Sequence, residues 1–193
     1  MEIDLAPPVR KPCVARLPGP NYYPLFSGGV LFLGLDTVDH EDLWDYGQVD
    51  SLRLQWIEAR MEHAPARTPV VTFNHIPFVS AKMTRYGFVD AGVAPTPIRV
   101  DGVDRFRHVV SNYEEVLSRV GGRLEVALAG HIHVSEVIEY ATHPGTLRFE
   151  TAAAVVVPAA GAGGDRDPLS GVTVYQVRDG RVDAGEFVGL EGR

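Results

Sequence analysis

The sequence predicts a mixed α/β domain: strands gathered into packed β-sheets, with two long helices on the outside. Three observations predict it. Two apolar runs, Pro69-Val-Val-Thr-Phe-Asn-His75 and Leu124-Glu-Val-Ala-Leu-Ala-Gly-His-Ile-His133, read as strands, and each ends in histidine. Two stretches with helical hydrophobic spacing, about residues 50–63 and 104–120, precede those runs in turn. After residue 133 the chain reads as short strands separated by glycine-bearing turns. At 193 residues and 45% hydrophobic, the chain is long enough for one core, and without repeat or linker it reads as one domain.

Residues 1–20 hold Pro7, Pro8, Pro12, Pro18 and Pro20, which exclude a continuous helix or a central strand. They read as an irregular arm. Residues 22–26 and 30–35 form a hairpin across Ser27-Gly28-Gly29, and the second strand is apolar on both faces, as a central strand is. Asp36-Thr37 ends it, and Asp39-His40-Glu41-Asp42 follows as a solvated acidic loop rather than a cation site.

The first helix puts Val49, Leu52, Trp56 and Ala59 on one stripe, and Trp56 at that spacing is a core residue. His63 in its last turn suits the helix dipole. Residues 76–103 are a long connection with little periodicity, of the length that binding sites and lids use. Lys82, Arg85, Tyr86 and Arg99 lie in it. Cations and an aromatic leaving a site in this way suit the grip of a phosphoester, although each singly is equally an ordinary surface residue.

The second helix carries Val109, Tyr113, Val116, Leu117 and Val120 on one face and ends at Gly121-Gly122. Residues 134–141 and 146–151 then pair across His143-Pro144-Gly145, residues 153–157 continue apolar, and 159–167 form a Gly/Ala loop. A last hairpin, residues 172–178 and 181–188, turns at Asp179-Gly180, a type I′ signal.

Net charge is −7, which argues against nucleic-acid binding through a basic face. It leaves an anionic substrate open, because metal ions can overrule net charge locally. Cys13 is the only cysteine, so no disulfide forms within the chain. No apolar run approaches the ~20 residues of a membrane helix. The acidic start, Met1-Glu-Ile-Asp-Leu, lacks the basic region of a signal peptide, so the expected location is cytoplasmic.

The chemistry is carried by histidine. In extended backbone, residues two apart share a face, so His131 and His133 aim at one point beyond the strand end, and Gly130 lets the chain turn there. An isolated His-x-His is equally a strand-to-loop turn with incidental histidines. His75 at the end of a second strand changes that, because rigid strand ends that deliver three imidazoles make a metal site.

This ordered set resembles the C-terminal half of the calcineurin-like metallophosphoesterases. It comprises a strand ending in His75-Ile-Pro77, a helix, and a strand ending in Gly130-His-Ile-His133. The flanks are similar too: the hairpin into Leu35-Asp-Thr37, and the helix bearing Gln55-Trp-Ile57. The resemblance covers about residues 20–190. It implies a metallophosphoesterase-type β-sandwich of mixed sheets flanked by helices, incomplete on its N-terminal side, with 21–193 as the back portion of the domain. It further implies metal-dependent hydrolysis of small phosphoesters, with His75 and His131 on one ion and His133 on the other. The ions would be Fe, Mn or Zn, two in the intact family and one or none here.

The family's Asp-x-His, Gly-Asp and Gly-Asn-His motifs have no counterpart: Phe73 precedes Asn74-His75, and the only Gly-Asp is Gly164-Asp165. No catalytic leaving-group histidine is therefore identifiable. Three readings stay open: a truncated, impaired phosphoesterase; a non-catalytic binding or structural remnant; and a mononuclear Zn hydrolase of His75, His131 and His133. An incomplete sheet would expose an edge and apolar surface, through which copies could self-associate.

Overall fold

The computed structural model describes residues 22–41, 44–81, 98–132, 135–141, 145–152 and 171–189. Its centre is a six-stranded mixed sheet of order β1-β2-β5-β8-β10-β9. The strands are β1 (Tyr23–Ser27), β2 (Val30–Leu35), β5 (Val70–Asn74), β8 (Leu124–Ala129), β9 (Glu136–Ala141) and β10 (Thr146–Thr151). Neighbours β2, β5, β8 and β10 run parallel, and the antiparallel β1 and β9 form the two edges. The expected mixed α/β architecture is thus present.

The hairpin β1–β2 turns at Gly28-Gly29, whose φ angles of 58° and 78° are those a two-residue I′ turn demands. Asp179-Gly180, at 50° and 74°, does the same between β12 (Val177–Arg178) and β13 (Arg181–Val182), as its dipeptide predicts. A third such turn, Asp101-Gly102, joins β6 (Ile98–Val100) to β7 (Val103–Arg105).

Helices α1 (Ser51–His63) and α2 (Tyr113–Val120) both pack on one face of the sheet. Each sits in a crossover between parallel strands that advance in the same direction, β2 to β5 and then β5 to β8. The constant handedness of such crossovers puts both helices on one side. Leu33, Ile57, Val70, Val116 and Ile76 are fully buried between these layers. On the opposite face Val30, Val71 and Val126 are covered by Val182, Val177 and Tyr175 from the C-terminal hairpins.

Three expectations need correction. The acidic segment is not a loop: Val38–Glu41 is strand β3, paired with β4 (Trp44–Gly47), and His40 Nδ1 stands 2.7 Å from the Asp45 carboxylate. The second helix begins at Tyr113, not near 104. Residues 106–111 are instead held by tertiary hydrogen bonds, Gly47 N–H to Phe106 O (2.7 Å), Ser111 N–H to Gly47 O (2.8 Å) and Val110 N–H to Pro77 O (2.8 Å). The face of α1 is also rotated: Leu54, Ile57 and Met61 are buried, whereas Leu52 is 67% exposed and Trp56 half-buried against Tyr22. The first helix starts as read, with the Asp50 carboxylate accepting from Arg53 N–H at 2.7 Å.

Apolar side chains are exposed on the ribbon of β11 (Gly171–Val174) and β14 (Glu186–Gly189), notably Val172, Val174, Phe187 and Val188. Tyr175, with its hydroxyl donating to Glu150 at 2.7 Å, caps a part-buried Arg148–Glu150 ion pair. Burial and the Glu150 charge push the Tyr175 phenol above its usual range. A phenol that ionises later in the folded chain than in the unfolded one contributes stability below pH ~10 that is lost as pH rises beyond it. The melting midpoint is therefore expected to fall above pH 10 more steeply in the parent than in Tyr175→Phe; parallel curves would refute the coupling. At neutral pH the same variant loses about 1–3 kcal/mol, because Glu150 gives up a donor.

Candidate metal centre

The carboxyl ends of the parallel strands meet at one sheet edge, where Leu35, Asn74 and Ala129 are in register. This is the edge at which α/β sheets bind ligands. His75 follows Asn74 directly and is exposed there. Its position is over-determined by its neighbours. The buried Thr37 hydroxyl accepts from Ile76 N–H (3.1 Å) and donates to Ile76 O (3.3 Å), while Asn74 Nδ2 donates to the same carbonyl at 2.6 Å. From the other side Gly130 N–H donates to His75 O at 3.1 Å, which ties the two histidine-bearing strand ends together.

The clamp has a testable weight. Thr37→Val keeps the shape but strands the Ile76 N–H in a buried place, which costs about 1–3 kcal/mol. Urea unfolding of the variant is expected to show that loss, and an unchanged midpoint would remove Thr37 from the account.

His131 has φ of 71°, and Ile132 N–H donates back to Gly130 O at 2.8 Å. It therefore sits at the centre of a γ-turn of positive φ, a rare and strained conformation for a residue with a Cβ. The turn brings its imidazole against that of His75: His131 Nδ1 and His75 Nε2 are 3.1 Å apart, with ring centroids at 4.9 Å. The two imidazoles that the resemblance puts on one ion thus lie side by side. His133, and with it the His-x-His face, lies outside the described residues, as do Lys82, Arg85 and Tyr86. Arg99 is exposed and pairs with Asp104 in the β6–β7 hairpin.

One member of the site is absent from the sequence reading. His108 Nδ1 stands 2.9 Å from His131 Nε2, so three imidazoles form a row with His131 in the middle. Burial, with help from the Arg107 guanidinium, holds the His108 pKa below that of a free histidine. No local motif marks this residue. The nearest signal is the Asp101-Gly102 turn, which would have excluded a helix from 104 and left His108 in a loop.

Two nitrogens each ~2.0–2.1 Å from a tetrahedral ion lie roughly 3.3 Å from each other, so the His75–His131 spacing suits a shared ion. All three imidazoles cannot share one ion as they stand, because His131 turns opposite ring nitrogens to its two neighbours. Accordingly, among the described residues no three His, Cys, Asp or Glu side chains converge on a single metal position. Asn74, which precedes His75, is 92% buried (8% exposed), and its Oδ1 has no hydrogen-bond partner among the described residues. Asn74 and His75 line a shallow depression of about 340 Å³ with Tyr23, Gly34, Leu35 and Phe73. The Tyr23 ring can lie over Gly34 because a Cβ there would come within 2.6 Å of it.

Among the described residues no helix is long and apolar enough to cross a membrane. No family model matches the chain, and no curated protein matches it.

Proposed function

We propose that the chain is a metal-dependent phosphoesterase of the calcineurin-like type, with the family's sheet sandwich as its scaffold and the edge beyond β5 and β8 as its metal centre. The observation that carries the reading is the 3.1 Å approach of His75 Nε2 to His131 Nδ1 at the ends of adjacent parallel strands. Two further observations support it: the positive φ at His131, and the buried Asn74 oxygen, without a hydrogen-bond partner among the described residues, in the residue next to His75.

In this reading His75 and His131 hold a divalent ion of the Fe, Mn or Zn class, for which imidazole nitrogens are suited. A bound ion of that class supplies a water of lowered pKa and a positive charge for the phosphoryl oxygens. Thr37 and Asn74 keep His75 aimed at the centre through Ile76. The Tyr23 and Phe73 rings, 6.5 Å apart, offer the apolar wall of the depression to the ester group. The remaining ligands of a two-metal centre are not found by motif in this sequence, so the expected activity is weak.

The test is hydrolysis of bis(p-nitrophenyl) phosphate by the purified chain, with elemental analysis of the same sample. At least one equivalent of Mn, Fe or Zn is expected, with turnover that chelator removes and added metal restores. A chain that binds metal without turnover fits a binding remnant instead, and a chain that binds none sinks the reading.

A further inference from the structure

The His108–His131 contact has a consequence for which nitrogen His131 offers to an ion. His108 is held by parts of the chain distant in sequence. A Cβ on Gly47 would come within 2.3 Å of Val109 O, so glycine there admits the 106–111 segment at backbone contact. Three backbone hydrogen bonds, from Gly47, Ser111 and Val110, lock it, and the Ser111 hydroxyl accepts from Phe106 N–H at 2.8 Å. Beside it the Arg107 guanidinium lies 4.5 Å above the Trp44 ring centroid. A half-buried imidazole on so anchored a segment is a fixed partner for the ring it meets.

We infer that His108 is a positioning residue: its Nδ1, 2.9 Å from His131 Nε2, holds the His131 ring so that Nδ1 faces His75 and any ion shared between them. The tautomer follows. An ion at His131 Nδ1 needs the lone pair there, so the proton sits on Nε2 and is donated to His108 Nδ1. Metal-bound histidines are commonly oriented by an acceptor on their other nitrogen, and loss of that acceptor costs about 10–100-fold in metal affinity. Here an imidazole does what a carboxylate or carbonyl usually does. The inference rests on the metal-centre reading for its consequence but not for the contact itself.

The chain is compared with His108→Asn, His108→Gln and His108→Phe, and with His131→Ala as reference. Asparagine keeps an acceptor at the position of Nδ1, glutamine moves it one carbon farther, and phenylalanine removes it. Zinc titration is expected to give affinity within about threefold of the parent for Asn, and losses of roughly 10–100-fold for Gln and Phe. The visible spectrum of the Co(II)-loaded chain should change in the same two variants and not in Asn. In the metal-free chain, a nitrogen–nitrogen coupling across the hydrogen bond should connect His131 Nε2 and His108 Nδ1.

Metal affinity unchanged in both Gln and Phe, or a missing coupling, would overturn the positioning role. A parent chain that binds no metal yet shows the coupling would sink the metal-centre reading while the positioning contact stands. Should the Phe variant fail to fold, the Asn-to-Gln comparison still decides, because both keep a polar amide.

Discussion

Under the proposed function, His131→Ala is expected to abolish metal binding and to lower phosphodiester hydrolysis more than about a hundredfold, beyond what loss of a supporting residue costs. The reason is geometric. His131 is the middle imidazole, 3.1 Å from His75 and 2.9 Å from His108, so its removal leaves the outer two without a bridge. The strain at this residue separates function from stability. With φ of 71°, alanine at 131 carries the same backbone penalty as histidine, whereas glycine relieves it. His131→Gly should therefore unfold about 1 kcal/mol later than His131→Ala while binding metal no better. Elemental analysis beside denaturant unfolding reads both. If glycine gains no stability over alanine, the strain is not stored at 131; if either variant keeps its metal, His131 is no ligand.

Ile57→Ala is expected to destabilise the chain by about 2–5 kcal/mol, and Leu52→Ala by less than about 0.5 kcal/mol. Both residues sit on α1, and Leu52 is the one that the sequence pattern places on its buried face. Ile57 is fully buried with Leu33 and Val70 around it, whereas Leu52 is 67% exposed. A domain of this size holds only about 5–15 kcal/mol of net stability, so the first variant should melt visibly earlier and the second should overlay the parent. Equal effects would mean that the helix turns the other face to the sheet.

The first and last hairpins were legible because their turns need positive φ. Gly28-Gly29 and Asp179-Gly180 announce that need locally. The strands β5 and β8 were legible because they are mostly buried and rich in apolar residues, with Glu125 of β8 the one exposed position. The helix faces were less so. The segment from Leu52 to Met61 holds apolar residues on overlapping stripes, and mere spacing cannot choose between Leu52-Trp56-Ala59 and Leu54-Ile57-Met61.

By itself, the sequence determined that two strand ends carry histidines and that His75 and His131 are candidates to meet where the chain leaves the sheet. Only the tertiary structure decided that α2 starts at Tyr113 and that His108 completes the row. That decision rests on Gly47 and Pro77, which bond to the 106–111 segment from more than thirty residues away in each case. A contact set by backbone groups at such separation leaves no periodicity and no motif behind. It becomes visible only when strands β4 and β5 have brought those groups to the same edge.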